Sequence, residues 1–188
     1  MNLLDEISGC RLCQGAFGYE PRPVIQGEYS AKILIAGQAP SLSVHKSGKP
    51  FDDASGKRLR AWLGVDEQQF YDPSLFAIVP MAFCYPGRGK SGDNPPPKVC
   101  AKTWREKLLR EFDEVKLTIL IGQYAQAYHL DDFNNVTESA QQWPTLLPSK
   151  IAIPHPSPRN FHWLKKNPWF EISAIPALKE RVDLIINS

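Results

Sequence analysis

"KILIAGQAPS", Lys32 to Ser41, sets an unbroken apolar run directly against a kinked polar turn, and how that junction is read decides the fold. Ile33 to Ala36 is short, rich in β-branched residues and continuous rather than alternating, as in a strand covered on both faces. Three more runs have this character: "LFAIVPMAF" (Leu75–Phe83), "KLTILIG" (Lys116–Gly122) and "KIAIPH" (Lys150–His155). Between them, "ASGKRLRAWLG", "KVCAKTWREKLLREF" and "QYAQAYHL" space their apolar residues as helices do, and "AIPALKERVDLIINS" closes the chain as a further helix. The alternation predicts a three-layer α/β/α sandwich around a central four-stranded, mainly parallel sheet, with residues 1–188 as one domain. Such sheets bind ligands at the carboxyl ends of their strands, so "GQAPS" and "PHPSPRN" are expected along one rim.

The chain has 188 residues, 43% of them hydrophobic, enough for a sizeable core. Its 22 Lys and Arg against 20 Asp and Glu leave a formal charge of +2, so any nucleic-acid footprint must be a local patch. No stretch approaches the roughly 18 uninterrupted apolar residues of a membrane span. The opening "MNLLDEISGC" carries acids where a signal peptide has basic residues. The expectation is a soluble, cytoplasmic monomer with no membrane partner.

Cys10 and Cys13 form a C-x-x-C, while Cys84 and Cys100 lie far downstream with fifteen residues between them. The two-residue gap lets both thiolates reach one metal centre, and one site on all four cysteines would staple two distant regions together. Spacing alone leaves zinc, an iron–sulfur cluster and four inert thiols all open. The intervening "CYPGRGKSGDNPPPKVC" reads as a long ordered loop. Within it "GRGKSGD" offers Arg88 and Lys90 on flexible backbone but lacks the spacing and following helix of a P-loop.

In "IPHPSPRN" three prolines alternate with His155, Ser157 and Arg159. Proline fixes φ, so the polar side chains are held in set directions. His155 can donate a hydrogen bond to a developing anion, Ser157 can hold a phosphate, and Arg159 can contact or invade a nucleic acid. Basic and aromatic residues interleave onward through "RNFHWLKKNPWFE", a pattern suited to phosphate contact and base stacking, or to a solvated face over an aromatic core anchor. In "SGKPFDDASGKRLRAW", Phe51 is an aromatic in a loop, one of Asp52 and Asp53 is expected to cap the helix starting near Ala54, and the other, or His45, is a candidate to activate water. His45 itself reads as a surface histidine.

These residues resemble the uracil-DNA glycosylase superfamily. "GQAPS" followed by "GKPFDDASG" looks like its first motif region, G-[EQ]-A-P-G with a downstream G-x-P-F-x-G-x-A-G, and "HPSPRN" looks like its second motif, H-P-S. The four-cysteine layout is similar to that of the iron–sulfur family 4 glycosylases. The resemblance covers the chain from Cys10 to about Asn160. It implies a base-excision repair hydrolase that flips a deaminated base, uracil by default, out of DNA and cleaves its N-glycosidic bond. By that resemblance Phe51 stacks on the base and His155 stabilises the leaving group. Gly37, Gln38 and Ala39 line the pocket and its water site, Gln38 as a catalytic residue with His155, and Gly37 and Ala39 as base-binding. Ser41, Ser157, Arg159 and Asn160 meet the DNA, with Arg159 where the family inserts a wedge. Cys10, Cys13, Cys84 and Cys100 hold a structural 4Fe–4S cluster, with zinc as the alternative.

Three positions depart from the family pattern. Ala39 stands where the best-known members have an aspartate, Gln38 where family 4 has a glutamate, and Pro80 where family 4 has a base-reading asparagine. Glutamine can orient a water but cannot take its proton, and proline offers no side-chain hydrogen bond. A non-catalytic DNA-binding or damage-sensing protein on the same scaffold is the alternative.

Overall fold

The computed structural model describes residues 2–188. Four strands, β1 (Ile33–Ala36), β2 (Phe76–Ile78), β5 (Leu117–Ile121) and β6 (Lys150–Ile153), form one sheet in the order β2-β1-β5-β6, every pair parallel. The expected sandwich is therefore present, with a sheet that is wholly rather than mainly parallel. β1 is central, and its period-two pleat divides its side chains between two cores. Ile33 and Ile35 face a layer containing Leu59 and Trp62 from the helix Ala54–Leu63, and Leu178 and Val182 from the helix Ile175–Ile186. Leu34 and Ala36 face the other layer, with Leu108 from the helix Glu106–Glu111 and Ala125 from the helix Gly122–His129. Burial on both faces is why the strands read as continuous apolar runs. Each fully buried Ile, Leu or Phe contributes about 1.5–3 kcal/mol.

The segment between Cys84 and Cys100 is ordered differently from expectation. Arg88–Gly89 (β3) and Gly92–Asp93 (β4) pair antiparallel as a short hairpin. Asn94 ties it down: its amide N–H donates to the Gly87 carbonyl at 2.8 Å and its side chain donates to the Pro86 carbonyl at 3.2 Å. "GRGKSGD" is thus a braced turn, not a flexible stretch.

"RNFHWLKKNPWFE" divides between the two roles expected of it. Trp163, Trp169 and Phe170 pack edge to face with ring centroids 5.4–6.0 Å apart, and Phe170 also meets Trp62 at 5.1 Å. Those rings anchor the core, leaving Arg159, Lys165 and Lys166 exposed beside Phe161, which is 60% exposed.

Arg105 is buried to 1% exposure on the second face. It lies at the end of a π-helical turn, Ala101–Arg105, that follows Cys100. Its Nη1 donates to the carbonyls of Val79 at 3.1 Å and Pro80 at 3.0 Å, while Nε and Nη2 meet His129 Nε2 at 3.2 and 2.8 Å. Burial lowers its pKa to about 10, yet it stays charged at neutral pH and clamps the chain just past β2. No helix among the described residues is long and apolar enough to cross a membrane.

Candidate functional site

The turn after β1 is held from both sides. The carbonyls of Gly37 and Gln38 accept hydrogen bonds from the amides of Met81 and Ala82 at 2.8 and 3.1 Å, so the chain past β2 fixes the motif backbone. Ser41 then caps the helix Leu42–Ser47, its hydroxyl accepting from the Val44 amide at 3.3 Å. Asp53 caps the helix Ala54–Leu63: its Oδ1 accepts from the Gly56 amide at 2.9 Å, and its Oδ2 lies 3.5 Å from the Ser41 hydroxyl. Two helix caps are thereby joined at the rim of the sheet.

Phe51 adopts φ +54°, a conformation few non-glycine residues accept. It is held there by its neighbours. Arg60 donates to its carbonyl at 3.4 Å, Tyr71 donates to the Pro50 carbonyl at 2.8 Å, and the ring packs edge to face on Phe70 with centroids 6.1 Å apart. Gly56 permits this arrangement, because a Cβ there would lie 1.7 Å from the Phe51 carbonyl oxygen. The Phe51 ring reaches toward Gly37, whose absent Cβ would sit 3.9 Å from its tip.

His155 follows β6 on its stiff loop. The Ser157 amide donates to His155 Nδ1 at 3.2 Å, which makes Nδ1 an acceptor and leaves the ring proton of the neutral form on Nε2. Burial holds the His155 pKa below its usual value, although the Asp53 and Asp93 carboxylates pull it upward. The ring is therefore a neutral Nε2–H donor at pH 7. Asn160 donates to the His155 carbonyl at 2.7 Å, and Arg58 donates to the Ser157 carbonyl at 3.3 Å. Asn160 and the Ser157 hydroxyl, which accepts from the Arg159 amide at 3.2 Å, both shape the loop itself.

One cleft of about 520 Å³ gathers these elements at the carboxyl ends of β1, β2 and β6. Gly37, Gln38, Ala39 and Ser41 line it from one side, Phe51 from another, and His155, Ser157, Arg159 and Asn160 from a third. The structure thus brings together every expected site residue other than the cysteines. Its volume and its mix of apolar wall with a few directed polar groups suit a small organic ligand. Pro80 is also on the wall, its carbonyl turned to Arg105, so this side presents no side-chain hydrogen bond. Gln38 donates through Nε2 to the Asn94 carbonyl at 3.3 Å, tying the hairpin to the motif.

Asp53 lines the cleft and Asp52 does not. Asp93, on the hairpin, lines it as well, and no local pattern in the sequence singled it out. His45 is not a surface residue: it is half-buried, with its ring 5.1 Å from Tyr19 and 6.1 Å from Tyr85, and its Nδ1 is buried without a partner.

The four cysteines line a second, mainly apolar pocket with Phe17, Phe83 and Trp104. The Phe83 amide donates to Cys100 Sγ at 3.4 Å. Burial, then the neighbouring thiols, push Cys84 up to about 12, and burial pushes Cys100 up to about 11. A bound cation would reverse that, since metal-bound thiols are deprotonated. Among the described residues no three His, Cys, Asp or Glu side chains are grouped closely enough to hold a single ion. The donor set itself, four thiols around one apolar pocket, fits a thiolate-bound metal centre.

A family model, that of the uracil DNA glycosylase superfamily, matches residues 24–179. That span includes all of the sheet and both rim motifs. By this match, joined to the parallel sheet and the cleft at its carboxyl rim, the chain belongs to the uracil DNA glycosylase superfamily.

Proposed function

We propose that the chain is a DNA-repair glycosylase that hydrolyses the N-glycosidic bond of a deaminated base, uracil by default, flipped from DNA into the 520 Å³ cleft. The observation that carries this reading is the tautomer of His155. With Nδ1 accepting from the Ser157 amide, the neutral ring offers its Nε2–H to a base oxygen as the leaving group gains negative charge. A neutral donor of this kind strengthens its hydrogen bond as the transition state is approached, which lowers the barrier rather than merely tightening binding.

Phe51, strained and pinned, stacks on the flipped base, and the turn Gly37–Ala39 forms the pocket floor. The exposed Arg159, with Ser41, Ser157 and Asn160 behind it, meets the backbone of the DNA. Lys165 and Lys166 extend this basic edge, a local patch on a chain of nearly balanced charge. Pro80 leaves one wall without a polar reader, which favours a broad choice among deaminated bases.

For the cysteine pocket we propose a 4Fe–4S cluster on Cys10, Cys13, Cys84 and Cys100. The C-x-x-C and the four thiols lining one apolar pocket support this reading, with zinc on the same four thiolates as the alternative. When bound, the cluster would brace the chain between the N-terminal segment and the hairpin, since hydrolysis transfers no electrons.

The test is single-turnover base release from oligonucleotides containing uracil, hypoxanthine or xanthine, single- and double-stranded. Release from at least one supports the enzyme. Binding to all with release from none would establish the damage-sensing alternative, which Ala39, Gln38 and Pro80 favour. A brown protein absorbing broadly near roughly 400 nm would support the cluster over colourless zinc.

A further inference from the structure

We infer that Asp93, carried on the hairpin over the cleft, is the carboxylate that orients and deprotonates the attacking water; this rests on the glycosylase reading above. The turn after β1 leaves that task unfilled. Ala39 has no polar atom, and an amide such as Gln38 cannot accept a proton. Gln38 is also engaged, its Nε2 donating to the Asn94 carbonyl at 3.3 Å. Asp53 lines the cleft, but its Oδ1 caps the Gly56 amide and its Oδ2 faces the Ser41 hydroxyl, so both oxygens serve the turn that presents Phe51.

Asp93 is placed otherwise. It caps no helix, it is exposed, and it lines the same cleft as His155. Asp53 and then Asp93 are the two carboxylates that oppose the burial-driven drop in the His155 pKa. The position of Asp93 is held by the β3–β4 pairing and by the Gln38–Asn94 and Asn94–Gly87 hydrogen bonds. Gln38 thus acts on the water through the hairpin, as a positioning residue. The Arg159 guanidinium is close to this hairpin, 3.8 Å from where a side chain on Gly92 would begin. An exposed carboxylate amid groups that meet phosphates repels the DNA, a cost that a role in the chemistry offsets.

The water oxygen bonds to C1′ of the deoxyribose as the C1′–N bond breaks, and its electron pair leaves with the base. His155 Nε2–H stabilises that base anion. The water's proton passes to the Asp93 carboxylate and from there to solvent or the departing base.

The experiment compares the wild-type chain with Asp93→Asn, Asp93→Ala and Asp93→Glu in single-turnover release from a uracil oligonucleotide, together with affinity for an uncleavable analogue and melting temperature. Loss of about 10²–10⁴ in rate for Asn and Ala, at unchanged or tighter DNA affinity and unchanged melting temperature, with partial recovery in Glu, supports the assignment. A rate for Asp93→Asn close to that of an active wild type overturns it, as does a loss confined to affinity. If the wild type releases no base from any lesion, the hydrolase reading itself fails and this assignment falls with it.

Discussion

Gly56→Ala adds one methyl group, and it has nowhere to go. The new Cβ would lie 1.7 Å from the Phe51 carbonyl oxygen, 2.6 Å from its carbonyl carbon and 2.9 Å from its Cβ. Contacts below 3.0 Å are essentially never observed for a Cβ, so the Phe51 backbone must retreat by 3.0 − 1.7 = 1.3 Å. The obstacle is main chain, so no rotamer change relieves it. Overpacking of this kind costs about 1–3 kcal/mol, and the better helix propensity of Ala returns about 1 kcal/mol. The net loss is at most about 2 kcal/mol, a fall of no more than roughly 8 °C in Tm, and the protein stays folded. A shift of about 1 Å in a positioned group costs about 10² in rate, so base release in single turnover should fall about a hundredfold. Gly122→Ala is the control. Gly122 has φ +78° with nothing within 4 Å of its Cβ position, so the substitution costs about 1–2 kcal/mol of backbone strain and leaves the rate unchanged. A Gly56→Ala enzyme with wild-type rate and melting temperature would refute the argument that Gly56 sets the position of Phe51.

Three other outcomes are expected. His155→Ala should lower single-turnover release by about 10²–10³, the usual loss for one donor to a developing anion, while anisotropy shows DNA affinity little changed; an unchanged rate would remove His155 from the chemistry. His129 is held neutral chiefly by burial, then by Arg105 and Lys150, with its pKa lowered from 6.5 to about 3. The unfolded chain takes up that proton near pH 6.5 and the folded chain only near 3, so its contribution is complete above pH 6.5 and declines as pH falls toward 3, by up to about 1.4 kcal/mol per pH unit. Urea denaturation between pH 7.5 and 4.5 should show a steeper acid loss in wild type than in His129→Gln; equal slopes would contradict the assignment. Arg105→Met strands the Val79 and Pro80 carbonyls and the His129 acceptor, three groups that at about 1–3 kcal/mol each predict a loss of roughly 3–9 kcal/mol in the urea midpoint analysis. A change below about 1 kcal/mol would show that the clamp is dispensable.

The unbroken run at Ile33–Ala36 and its three counterparts were legible because burial on both faces leaves no polar positions to confuse the pattern. His155 and Phe51 were legible for a different reason: three prolines fix the backbone around His155, and Phe51 is an aromatic standing in a Gly/Pro loop between two polar segments. The hairpin was not legible. Its strands are two residues each, too short for any period, and its anchor is a hydrogen bond from Gln38 to Asn94, 56 positions away. "RNFHWLKKNPWFE" was ambiguous for a related reason, since stacking on a base and packing on Phe170 use the same rings and only the neighbouring helix decides between them.

From the sequence alone came the layered parallel fold and the two rim motifs, because local composition and spacing encode which faces are buried and where the backbone must turn. Tertiary structure alone decided that Asp93 rather than Asp52 shares the cleft with His155, and that a buried Arg105 clamps the end of β2. Those are facts of proximity between segments far apart in the chain, set by how the layers pack, and no periodicity along the chain records them.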